Sequence, residues 1–135
     1  MATVRRHAPD VLAALFAVSG VLHLVRPAMF DALIPPFLPA PGAIIGASGV
    51  AELICAAALT RRLPWAGPAS AALLVAVFPG NVWFAIDPAP SRSDLVTGAA
   101  WLRLPVQAAL VWAGLQARKR PVDITRDPGQ TPNDR

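Results

Sequence analysis

Five polar side chains stand inside segments that are otherwise apolar: His23, Glu52, Asn81, Arg103 and Gln107. A carboxyl group and an imidazole can exchange a proton. A guanidinium and two amides can hold an oxygen atom. The arrangement suits acid–base chemistry on an oxygen-bearing molecule, with Glu52 as proton acceptor or donor, poised by desolvation and by the Arg103 charge. Arg103 and Asn81 are expected to hold a carbonyl or similar oxygen, with Gln107 and His23 as orienting groups. Glu52 and Arg103 are thus the candidate catalytic residues, and Asn81, Gln107 and His23 the candidate substrate-binding residues.

The segments that carry these residues read as membrane spans. Of the 135 residues, 55% are hydrophobic and 15% charged, too little charge to cover a water-soluble domain of this size. The first span follows a polar, basic start containing Arg5, Arg6 and His7. Asp10 is placed to cap a helix running from Val11 to Val25. No small-x-small cleavage pattern follows it, so it reads as a retained span rather than a signal segment. Five prolines then lie between Arg26 and Pro41, and the sequence from Ala28 to Ile34 predicts a short interfacial helix stopped by Pro35-Pro36. A second span covers about Ala43 to Leu59, a third Trp65 to Ile86, and a fourth Thr97 to Ala117. Pro79-Gly80 and Pro105 predict bends within the last two. The expected fold is all-α: an integral membrane bundle of four transmembrane helices in residues 1–117, followed by a polar, disordered tail in 118–135.

Nine of the twelve Lys and Arg residues lie in the N-terminus, at Arg61-Arg62 or in the C-terminal tail. That bias predicts a multi-pass protein of the cytoplasmic membrane with both termini in the cytoplasm. It is a topology signal rather than a nucleic-acid surface. Trp65 and Trp101 are expected as interfacial anchors, and Trp83 and Trp112 as buried residues. Gly42, Gly46 and Gly49 have the small-xxx-small spacing that lets helices approach closely, and the Glu52 face also carries Ser48, Cys55 and Ala56.

Depth follows from the rise of about 1.5 Å per helical residue. It puts His23 near the outer end of the first span, with Asn81 about 8 Å, Arg103 about 9 Å, Glu52 about 14 Å and Gln107 about 15 Å inside theirs. An isolated charge at such depth costs at least about 2.5–3.5 kcal/mol, so each should find a partner. Glu52 with Arg103 is the expected ion pair, with Asn81, Gln107 and His23 around it. The same network would equally fix helix register without chemistry. Cys55 is expected as a small packing residue.

Four motifs in order, one per span, carry a resemblance. Gly20-Val21-Leu22-His23 leading into Arg26-Pro27, Ser48-Gly49-Val50-Ala51-Glu52, Phe78-Pro79-Gly80-Asn81-Val82 and Arg103-Leu104-Pro105-Val106-Gln107 together resemble the DoxX family of small bacterial membrane proteins. The resemblance covers roughly Gly20 to Ala117. It implies a four-helix membrane bundle and an association with oxidoreductase systems, including quinone-linked sulfur oxidation and thiol-redox partnerships. A single cysteine and two histidines supply no intrinsic thiol pair, haem or metal site. A redox role therefore needs a bound quinone or a partner subunit. Two other readings stay open: a non-catalytic membrane partner or maturation subunit of another enzyme, and a redox-independent isomerase, cyclase or hydrolase acting on a lipophilic metabolite.

Overall fold

The computed structural model describes residues 2–87 and 93–116, with side chains described from residue 7 onward. Four long helices make up most of it: α1 (Ala2–Val25), α2 (Pro41–Thr60), α3 (Ala66–Ile86) and α4 (Asp94–Gln116), with a short 3-10 helix, η1 (Pro27–Leu33), between α1 and α2. Each long helix contains a stretch long and apolar enough to cross a membrane. The expected all-α membrane bundle, with a short helix between its first and second spans, is the observed architecture. The proposed tail, 118–135, lies outside the described residues.

Helix ends follow local chemistry. Pro27 opens η1 and Pro41 opens α2 at positions where a missing N–H costs no intrahelical bond. At Arg61 and Arg62 the chain leaves α2, with Arg62 in the left-handed region (φ 55°). The start of α1 corrects the sequence reading. The helix begins at Ala2 and carries Pro9 inside it, so Asp10 caps nothing. Its carboxylate instead accepts a 2.6 Å hydrogen bond from Arg62 Nη2, tying α1 to the α2–α3 turn.

The helices form two hairpins, α1 on α2 and α3 on α4, closed into a ring by α2–α3 and α1–α4 contacts. Leu12, Phe16, Cys55, Leu59 and Leu74 lie in the core, so Cys55 is the buried packing residue expected of it. Within the first hairpin the backbones meet closely at Gly20 and Gly49: a Cβ on Gly20 would lie 2.8 Å from Gly49 O, and one on Gly49 3.1 Å from Gly20 O. Gly42 and Gly46, expected to share this role, face open space. In the second hairpin Gly114 seats against Gly67 and Ala71, and in α3 Gly80 lets the Leu33 carbonyl of η1 come close. Trp65 and Trp101 are exposed, as anchors would be, and Trp83 is half-buried beneath Phe37. Trp112 is exposed, contrary to expectation, because only the Gly114 side of that helix end meets α3.

Candidate functional site

The five polar side chains separate into two pairs and one single residue. The first pair joins α1 to α2. At the Gly20–Gly49 crossing the backbones are close enough for His23 Nδ1 to reach within 3.0 Å of Glu52 Oε2. The same nitrogen lies 2.9 Å from the Ser19 carbonyl, one helical turn back. The ring bonds that carbonyl in good alignment, which leaves Glu52 Oε2 a close neighbour without a well-aligned hydrogen bond of its own. The Ser19 hydroxyl is 3.4 Å from the same ring nitrogen and also interacts with the carboxyl group. Phe30 of η1 stacks on the imidazole, with ring centroids 3.7 Å apart and an interplanar angle of 21°. The His23 and Glu52 side chains are 12% and 9% exposed, so the pair sits inside protein rather than among lipid headgroups.

This arrangement revises the expected ion pair. Glu52 is buried on the face predicted for it, with Gly49, Cys55 and Ala56, but its nearest charged or titratable partner is His23. Arg103 acts on it only from farther away. Depth along the spans does not determine how each helix is rotated about its axis. The α1–α2 crossing brings His23 to Glu52, while Arg103 points along a different seam.

The second pair joins α3 to α4. Asn81 Nδ2 donates to Gln107 Oε1 at 2.6 Å, and Gln107 Nε2 donates to Leu74 O at 2.6 Å, both fully buried. Pro79 has no N–H to offer the turn containing Leu74 and Val75, and a side-chain amide from the neighbouring helix bonds a carbonyl of that turn. This pair is a helix–helix lock. Asn81 Oδ1 remains buried without a hydrogen-bond partner.

Arg103 stands apart from both. It lines a cleft of about 400 Å³ between α1, η1, α3 and α4, whose other walls are Leu15, Val18, Ser19, Leu22, Met29, Phe30, Leu33 and Phe84. The cleft adjoins the first pair through Ser19 and Phe30, each of which touches both. Phe84 lies one turn from Asn81, and Arg103 one turn from Gln107, on the same helix faces. The amide lock therefore lies one turn along the α3–α4 seam from the cleft wall. Among the described residues no three His, Cys, Asp or Glu side chains gather around one point. Ser19 and Phe30 were missed from sequence. Ser19 was detectable, four residues before His23 on one helix face, but nothing in the sequence signals that Phe30 folds back onto the imidazole.

Residues 12–118 match a family described as a domain of unknown function (DUF8561). The chain belongs to that family. The match takes in His23, Glu52, Asn81, Arg103 and Gln107, so both pairs and the cleft fall within it. No curated protein and no solved structure matches the chain.

Proposed function

We propose that this protein binds a lipophilic, oxygen-headed small molecule in the α1–α4 cleft and exchanges a proton with it through the His23–Glu52 pair. One observation carries the reading: the apolar cleft that Arg103 lines reaches that pair through Ser19 and Phe30, each of which touches both. Its volume falls in the usual range for small-molecule sites, about 300–1,000 Å³. An apolar body fits against Leu22, Met29 and Phe30, with an oxygen facing Arg103 or the Ser19 hydroxyl. Glu52 and His23 serve as donor and acceptor, Ser19 links them to the cleft, and Phe30 shields the imidazole from lipid.

The resemblance to DoxX proteins puts a quinone among the candidate occupants and an oxidoreductase system of the bacterial inner membrane among the settings. In this reading such a ring would occupy the cleft, and a bound quinone would supply electron-accepting chemistry that these side chains lack. The chain's own part is then to hold an oxygen and deliver or remove a proton. A lipophilic metabolite undergoing simple acid–base chemistry uses the same residues in the same way. The positive-inside bias favours cytoplasmic termini for either setting.

The test is ligand content. Protein purified in mild detergent and washed free of bulk lipid is expected to retain a lipophile identifiable by mass spectrometry. Leu22→Trp, which fills the cleft, should lose it, and Glu52→Gln should lose or exchange it. Unchanged ligand content in the Leu22→Trp variant would overturn the reading.

A further inference from the structure

The occupant can be specified further, resting on the cleft reading above. Arg103 is the only ionisable side chain among the described residues lining the cleft. Among the described residues no carboxylate lies within ion-pair distance of it. The nearest buried carboxyl group, Glu52, is engaged with His23, and Asp31 on η1 is exposed. Arg103 belongs to the body of α4 rather than its end, with Leu102 and Val106 exposed on the same helix. Arg103 is itself exposed, at the open side of the cleft; within a membrane span, a guanidinium whose counter-charge is committed elsewhere is costly until an anion reaches it. Its planar fork matches a carboxylate or phosphate with two parallel hydrogen bonds, which a single neutral carbonyl does not satisfy.

We infer that the cleft takes an amphiphilic anion: an acidic oxygen head, carboxylate or phosphate, on Arg103, and an apolar chain along Leu15, Val18 and Leu22. The Ser19 hydroxyl is the second polar contact for the head. Snorkelling of Arg103 to ordinary headgroups is the competing use of the same side chain. It differs in needing no cleft.

The inference is tested on the full chain in nanodiscs of zwitterionic lipid, using a labelled long-chain carboxylate and its uncharged methyl ester as probes. The acid is expected to bind at least about tenfold more tightly than the ester, as one charge-assisted bidentate contact allows. Arg103→Gln should abolish that preference and Arg103→Lys should keep part of it, the charge without the bidentate geometry, so that loss through misfolding is recognised by failure of the lysine variant to bind either probe. Leu22→Trp should lose both probes. Adding anionic phospholipid to the discs identifies the source: competition marks a lipid headgroup as the natural occupant, and no competition marks a free acid. Equal binding of acid and ester, or an acid preference that survives Arg103→Gln, overturns the anionic head while leaving the lipophile site standing. If neither probe binds and Leu22→Trp changes nothing, both readings fall.

Discussion

His23 rests on Gly49: a Cβ at position 49 would come within 2.7 Å of the His23 Cβ. That contact places the imidazole beside Glu52, since Gly49 and Glu52 are three residues apart on one face of α2. The small-residue crossing and the buried His23–Glu52 pair are thus one feature of the bundle.

Gly49→Ala should therefore be costly. The obstructing atoms are the His23 Cβ and the Gly20 carbonyl, neither of which can swing aside, so α1 and α2 must separate. A loss of about 1–3 kcal/mol is expected, as for other overpacked sites. Gly42→Ala, which meets nothing, should be neutral or slightly stabilising. Unfolding in detergent measures both, and equal costs would show that the crossing lies elsewhere.

Replacing His23 by Leu should cost more than replacing the whole pair. The single change strands a buried carboxyl group and is expected to lose about 3–5 kcal/mol, whereas His23→Leu combined with Glu52→Leu removes the charge and recovers part of that loss. A double variant less stable than His23→Leu alone would contradict the pairing.

The amide lock predicts coupling between α3 and α4. Gln107→Leu leaves Asn81 Nδ2 and Leu74 O without their partner. A double-mutant cycle over Asn81 and Gln107 should yield a coupling of about 0.6 kcal/mol, the average for such bonds in membranes, and no more than about 1.7 kcal/mol. Strict additivity would show that the contact carries no energy.

Asp10 and Arg62 provide the contrast. Their side chains are each 55% exposed, so Arg62→Ala should cost no more than about 1 kcal/mol, and less in high salt. A larger, salt-independent loss would mean that this pair holds the first hairpin together.

The amino-acid sequence by itself determined the spans. Apolar runs bounded by prolines and arginines have lengths set by bilayer thickness, so four helices and a short connector could be read within a few residues, apart from the start of α1, which lies at Ala2 rather than at Asp10. It also identified the residues of both described polar pairs, His23, Glu52, Asn81 and Gln107, but not the fully buried Ser70 beside Cys55. It did not determine who meets whom. Depth is a one-dimensional quantity, carried by residue number at a fixed rise. Pairing depends on the rotation of each helix and on which helices are neighbours, and packing at Gly20, Gly49, Gly67 and Gly114 sets these. By residue type alone Arg103 was the natural counter-ion for Glu52. Only the tertiary structure gave that place to His23, held by Phe30 across a turn of chain with no periodic signal, and left Arg103 facing a cleft.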